Sequence, residues 1–228
     1  MKEFNMKKVI KELAEDYKVF FSEAHFQFQL AWKIKEIYPN ANIALETKPF
    51  IENSNNRLDI DLELNGEHIA IELKYFHGAY HIKANDLYKG IQKIEDDRLY
   101  YLNNQNDTWR SYDFIKDISR LEELCEEDKY QKGYALVICS EKTYWKSHKN
   151  DKQYNYSQFR LSDKRVIEAG NTLSWKEQTK ANQGKRNPSL KLKNEYKFIW
   201  EDYSKFSGIR NNKAKDISLK YLMVEVSK

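Results

Sequence analysis

Glycine and proline are scarce in this chain, seven and three among 228 residues. That excludes collagen-like repeats, and no Gly/Ser- or Pro-rich linker divides the sequence. Two cysteines, Cys125 and Cys139, are too few for a disulfide framework or a four-ligand zinc cage. No apolar run approaches the roughly 18–20 residues that span a bilayer. The first residues, Met1 to Lys8, lack the apolar stretch and small-residue cleavage site of a signal peptide. A cytoplasmic protein with no membrane partner is therefore expected. Neither G-x-x-x-x-G-K-[ST] nor G-x-G-x-x-G occurs, which argues against nucleotide-driven motors and kinases. A Gly-x-Ser-x-Gly elbow is also missing, which argues against an α/β-type serine hydrolase. His77 and His81 have i, i+4 spacing, but Gly78 intervenes and no third ligand is near in sequence, so zinc is not expected.

Apolar residues are plentiful, at 40% hydrophobic and 14% aromatic, which excludes a disordered chain and supplies a sizeable core. No repeat of solenoid period is present, and one domain over 1–228 is the simplest organisation. Charge is unevenly placed. Residues 1–141 carry 19 Lys and Arg against 26 Asp and Glu, a balance of −7. Residues 142–197 carry 14 against 5, or +9, and residues 198–228 carry 6 against 4, or +2. A basic stretch after an acidic front suits a polyanionic partner. Cations and aromatics interleave there, as in Lys142-Thr143-Tyr144-Trp145-Lys146-Ser147-His148-Lys149, and Tyr154, Tyr156 and Phe159 follow. Cations neutralise phosphates and aromatic faces stack on unpaired bases, so Lys142, Lys146, Lys149, Lys185 and Arg186 are the candidate nucleic-acid contacts.

Helices are predicted over about 5–20 and over about 22–38, the second capped by Ser22, with Ala24, Phe28, Ala31 and Trp32 recurring at helical spacing and Ile34 and Tyr38 continuing the pattern. A strand is predicted near 42–50. Residues 57–64 and 67–75 alternate with period two around Asn65-Gly66, a strong hairpin signal. Two helical patterns follow, one through Leu87, Ile91, Ile94 and Leu102, the other through Phe114, Ile118, Leu121 and Cys125. The apolar run from Tyr134 to Cys139 reads as a buried central strand. Strands are also predicted at 195–200 and 221–226. The expected class is α/β, a mixed sheet flanked by helices, with N-terminal helices at about 5–38, a core at about 42–140 and the basic segment at about 141–197.

The hairpin carries the chemistry. Leu58, Ile60, Leu62 and Leu64 are answered by Ile69, Ile71, Leu73 and Tyr75 on one apolar face, and the charged residues occupy the other. A two-residue loop places Asp61 opposite Ala70, Asp59 opposite Glu72 and Arg57 opposite Lys74. Facing Cβ atoms lie about 4.5–5.5 Å apart, where like charges destabilise a sheet. Two carboxylates at that distance call for a cation, and magnesium takes such hard oxygen ligands together with substrate phosphate. Lys74 shares their face and would position water and offset charge on a phosphate. Removing either carboxylate is expected to relieve repulsion and leave the apo fold intact. Glu-x-Lys occurs four times, at Glu46/Lys48, Glu72/Lys74, Glu127/Lys129 and Glu195/Lys197, but only Glu72/Lys74 faces an aspartate across a hairpin.

Arg57-Leu58-Asp59-Ile60 and Ile71-Glu72-Leu73-Lys74 resemble the two motifs of the PD-(D/E)xK nuclease superfamily, whose members share the restriction-endonuclease-like α/β/α fold. The resemblance implies a metal-dependent endonuclease acting on DNA in restriction, repair or mobile-element biology. Asp59 and Glu72 would be the metal-binding acids, the Leu73 backbone carbonyl a further ligand, and Lys74 the catalytic lysine, with Mg²⁺ as cofactor and Mn²⁺ as its substitute. Glu23 sits where many members carry a glutamate on the helix before the core sheet. Leu58 replaces the family's proline, which leaves Asp61 as a rival of Asp59 for the metal. A homodimer would suit double-strand cleavage, although no interface is legible. The alternative is a nuclease-like fold kept as a nucleic-acid-binding or assembly module without cleavage. Asp113, Asp117 and Arg120 read as a charge ladder along one helix.

Overall fold

Asn5 and Ser22 open the first two helices. Each side-chain oxygen accepts the N–H three residues on, from Lys8 at 2.9 Å and His25 at 3.1 Å. The computed structural model describes residues 3–49, 57–83, 99–102, 109–146, 154–177, 186, 188–211 and 213–228. Helix α1 spans Met6–Asp16 and α2 spans Glu23–Ile37. The first ends four residues before its predicted limit because Tyr17 turns extended. The chain then runs against the sheet, where the Tyr203 hydroxyl donates to Tyr17 O at 2.9 Å and the Phe20 N–H donates to the Tyr75 hydroxyl at 3.2 Å.

Strands β1 (Asn42–Thr47), β2 (Leu58–Leu64), β3 (Glu67–Phe76), β4 (Tyr80–Lys83) and β5 (Leu99–Leu102) follow. Next come helix α3 (Arg110–Glu126), strand β6 (Lys132–Cys139) and a short helix α4 (Lys142–Trp145). Four two-residue strands, β7 (Val166–Ile167), β8 (Thr172–Leu173), β9 (Leu190–Lys191) and β10 (Tyr196–Lys197), precede the long pair β11 (Trp200–Arg210) and β12 (Lys213–Ser227). The predicted helix through Leu87, Ile91 and Ile94 lies outside the described residues, and Leu102 belongs to strand β5. The strand predicted at 221–226 is much longer. Its first half alternates around lysines and Asp216, so apolar content alone concealed it.

One mixed sheet has the order β1-β2-β3-β6-β12-β11-β4-β5, parallel only between β3 and β6. Asn65 and Gly66 take φ values of 56° and 86°, the left-handed pair a two-residue hairpin needs. From the turn to Ile60 and Ile71 the register matches the prediction, with Asp61 opposite Ala70, but the predicted pairs Asp59–Glu72 and Arg57–Lys74 lie beyond the ladder and do not form. Core residues lie on both faces. Phe26, Leu30 and Ile34 of α2 pack with Ile60, Leu62, Ile71 and Leu73. On the other side Ile115, Ile118 and Leu121 of α3 pack with Ala70, Val137 and Leu222, and Leu58 joins them. The charged face of the hairpin therefore has a roof, supplied by α3.

Helix α2 buries only part of the predicted stripe, namely Ala31, Ile34 and, at its end, Tyr38. Phe26, Gln27, Leu30, Ala31 and Ile34 are buried, whereas Phe28 and Trp32 are 52% and 58% exposed. Two apolar stripes compete on this helix, and buried Gln27 turns one inward by donating to the Asp59 carbonyl oxygen at 2.6 Å. Among the described residues no helix is long and apolar enough to cross a membrane.

Candidate active site

Backbone pairing between β2 and β3 ends at Ile60 and Ile71, one step before Asp59. Beyond it the Leu73 N–H donates to Asp59 Oδ2 at 2.6 Å, so a carboxylate takes the place of a ladder carbonyl. That bond holds Asp59 against β3 between Glu72 and Lys74. The β1–β2 ladder breaks at the same level. Leu45 pairs with Ile60 and Thr47 with Leu58, while Glu46 between them adopts φ 55°. Left-handed backbone is uncommon for glutamate and costs about 1–3 kcal/mol, so its neighbours must enforce it. Gln27 Nε2 donates to Glu46 Oε1 at 3.0 Å as well as to the Asp59 carbonyl. In sequence Glu46-x-Lys48 looks like the other Glu-x-Lys repeats, and no period-two pattern reveals a left-handed residue.

From α2, Glu23 Oε2 accepts the Tyr75 N–H at 2.8 Å. Glu23 remains exposed as a residue, yet its carboxylate end lies against β3 beside Lys74. Lys74 Nζ donates to the Leu73 carbonyl at 3.0 Å and pairs with Asp117 Oδ2 at 2.7 Å. Arg120 pairs with Glu72. Asp113 binds Arg186 through a two-pronged contact at 2.9 and 2.8 Å. The predicted ladder along α3 is thus replaced by three contacts to other elements. The i, i+4, i+7 spacing sets these side chains on one flank of the helix, and that flank faces β3 and the basic segment.

Burial is the main force on the carboxylates. It pushes Asp59 and Glu23 above their ordinary range, more than the Lys74 ammonium and the N–H bonds from Leu73 and Tyr75 pull them back. Asp117 is pushed up to about 6, chiefly by burial and against the pull of Lys74. Burial also opposes the charge on Lys74, but Asp117, Glu23 and Asp59 together outweigh it and hold the ammonium above its usual range. Four carboxylates (Glu23, Asp59, Glu72 and Asp117) thus gather around the cations Lys74 and Arg120, with Arg110 also acting on Glu23 and Glu46 adding negative charge beside Asp59. Lys74 keeps 19% of its side-chain surface exposed, whereas Glu72 keeps 3% and the Oδ2 of Asp117 is fully covered.

A group protonated more readily in the folded than in the unfolded chain stabilises below its unfolded pKa, and that contribution is lost as pH rises through the folded value. For Asp117 the window runs from about pH 4 to about 6. The wild type should therefore lose stability relative to Asp117→Asn as pH rises from 4 to 7, measured by thermal melts of both proteins. A gap independent of pH would contradict this origin.

Among the described residues no cluster of three or more His, Cys, Asp or Glu side chains is arranged to hold a metal ion. Glu72 is engaged by Arg120 and the Leu73 carbonyl by Lys74. The oxygen donors of Asp59, Glu72 and the Leu73 carbonyl are of the type a hard divalent cation takes, but only Asp59 among them is not already committed to a cation of the protein. Asp61 stands apart from this group, its Oδ2 accepting from the Tyr130 hydroxyl at 3.0 Å and the Thr47 hydroxyl at 3.4 Å.

In the basic segment the aromatics and the cations separate. Lys142 and Lys146 are exposed, but Tyr144 and Trp145 between them are buried against Phe76 and Trp200, with ring centroids 4.8 and 5.5 Å apart. Arg186, bound to Asp113 and seated over the Trp109 ring, fastens the segment to α3. Buried Glu122 does the same, accepting the N–H groups of Lys193 and Asn194 and the Tyr196 hydroxyl. Lys149 and Lys185 lie outside the described residues. No protein-family model, curated protein or solved structure matches this chain.

Proposed function

We propose that the chain is a metal-dependent nuclease of the PD-(D/E)xK superfamily, with a restriction-endonuclease-like fold, cutting DNA phosphodiesters in the cytoplasm. One observation carries the reading. The bond from the Leu73 N–H to Asp59 sets the aspartate beside the Glu72-Leu73-Lys74 strand, where Glu23 also converges on Tyr75. Asp59, Glu72 and the Leu73 carbonyl would hold Mg²⁺, or Mn²⁺ in its place. A bound ion would supply Lewis-acid activation at the scissile phosphate. Lys74 is the group within reach of that phosphate, its ammonium kept charged by Asp117 to offset developing negative charge. The exchange of Arg120 for a divalent ion at Glu72 is the rearrangement this role requires.

A second reading has its own support. The pairs Glu72–Arg120 and Lys74–Asp117 balance each other's charge within the protein, as they would in a nuclease-like module that binds nucleic acid without cutting. Calorimetric titration of Mg²⁺ into the apo protein separates the two. The nuclease takes up the ion with an affinity that grows as pH rises and protons leave Asp59 and Glu23, and the silent module takes up none.

The basic segment predicts a salt dependence. Each duplex phosphate contact contributes roughly 0.9 to the slope of log K against log salt, or about 0.7 on a single strand. Replacing exposed Lys142 and Lys146 by alanine should lower the slope by about that amount each, alike for all sequences, and leave metal affinity unchanged. Arg186→Ala should instead lower the melting temperature, since its guanidinium is committed to Asp113. Coinciding slopes for wild type and the double lysine variant would remove these lysines from the interface.

A further inference from the structure

Most aromatics of the basic segment turn inward, and two do not. Tyr154 is 38% exposed and Tyr156 half-buried, their rings parallel within 18° and 5.7 Å apart between centroids. The Arg160 guanidinium lies over both rings, 5.4 and 5.8 Å from their centroids. We propose that Tyr154, Tyr156 and Arg160 form a stacking platform for unpaired bases of a single-stranded nucleic acid. The inference rests on the nucleic-acid reading above and deepens it by naming the strand state that the site prefers.

The backbone that carries the platform is held by hydrogen bonds. The Tyr154 N–H donates to the Ser157 hydroxyl at 2.7 Å, and the Ser157 N–H returns to Tyr154 O at 3.1 Å. Asn155 between the tyrosines is tied to the following segment, its carbonyl accepting from Lys176 N–H at 3.2 Å and its side chain from Glu177 N–H at 2.7 Å. The Gln158 side chain accepts the Ser174 N–H at 2.6 Å. A surface fixed in this way loses little conformational entropy on binding. Phe159, the next aromatic, packs on Tyr112 of α3 with centroids 5.0 Å apart, so the platform hangs from the helix that supplies Asp117 and Arg120 to the site. Charge selects the occupant. The segment's balance of +9 suits a phosphate backbone, and an aromatic pair topped by a guanidinium suits the flat face of a base. A duplex keeps its base faces stacked on one another and offers the rings nothing comparable.

The test is fluorescence anisotropy on the full chain in EDTA, where no cleavage occurs. Three labelled probes are used: oligothymidine, an abasic strand with the same phosphates, and a duplex of equal length. Wild type should hold oligothymidine more tightly than the abasic strand. The Tyr154→Ala/Tyr156→Ala protein should lose roughly 5- to 150-fold on oligothymidine for each base unstacked, with duplex and abasic affinities unchanged. If the double variant melts early, Tyr154→Thr alone should still lose on oligothymidine, and Tyr101→Ala, an exposed ring on β5, should not. Equal wild-type affinity for abasic and base-bearing strands overturns the platform. So does an unchanged oligothymidine affinity in the tyrosine variants, or an equal loss on duplex. A protein that stacks bases and cuts nothing retains the platform and loses the nuclease, and the opposite result separates them the other way.

Discussion

Glu72→Gln should lower the melting temperature of the apo protein by roughly 6–12 °C, while Asp59→Asn leaves it unchanged or raises it. Both should abolish divalent binding and cleavage. The two carboxylates part company because of what each one faces. Glu72 is buried against Arg120, and its neutralisation removes the guanidinium's direct ion pair, leaving it only the weaker field of Asp59 and Glu123, at a cost of about 3 kcal/mol. For a chain of this length each kcal/mol corresponds to about 2–4 °C. Asp59 is a carboxylate whose ionisation burial already opposes, and an asparagine oxygen can still accept the Leu73 N–H. The hairpin pattern alone predicts that either deletion relieves repulsion, and the pairing with Arg120 corrects this for Glu72. Paired thermal melts and calorimetric metal titrations check both halves. Unchanged metal affinity in both variants removes the metal site, and a silent Asp59→Asn with Asp61→Asn losing affinity transfers the role to Asp61.

Lys74→Ala should abolish turnover by a factor of at least about 100, the scale of losing one group that stabilises transition-state charge. Divalent affinity should be retained, because the ammonium is no ligand. Lys48→Ala, at the exposed Glu46-x-Lys48, should cut at the wild-type rate. The structure adds a consequence for Asp117, whose partner is lost and whose carboxyl should rise beyond its present value of about 6. Single-turnover cleavage and metal titration on the same preparations separate chemistry from binding. Loss of metal affinity in Lys74→Ala, or equal loss of rate in Lys48→Ala, would point to general damage instead.

The hairpin was legible because its information is local. Asn65-Gly66 fixes the turn, the turn fixes the register, and alternation fixes the faces as far as Ile60, beyond which Leu58 crosses to the core under α3. Helix α3 and strand β6 were legible for the same reason, since Phe114, Ile118, Leu121 and Cys125 keep helical spacing and the run from Tyr134 to Cys139 is uniformly apolar. What covers the charged face was not legible. Asp117 and Arg120 reach Lys74 and Glu72 across more than forty residues of chain, and spacing along α3 cannot tell a ladder from a set of tertiary contacts. Glu46 escaped notice because its role depends on a left-handed backbone that only the packed Gln27 reveals. Helix α2 is half legible: Ala31, Ile34 and Tyr38 are buried as their spacing implies, but Phe28 and Trp32 are as apolar as the buried Phe26 and Leu30. The basic segment misled in part. Its composition announced cations and aromatics together, but most of those aromatics are core.

Incubation of the purified chain with supercoiled plasmid, linear duplex and single-stranded circles, with Mg²⁺, Mn²⁺ or EDTA, tests the central claim most directly. The account predicts strand scission that needs the divalent ion, stops in EDTA and disappears in Lys74→Ala. Intact substrates under every ion, from a protein that melts cooperatively and binds the same DNA, would contradict it.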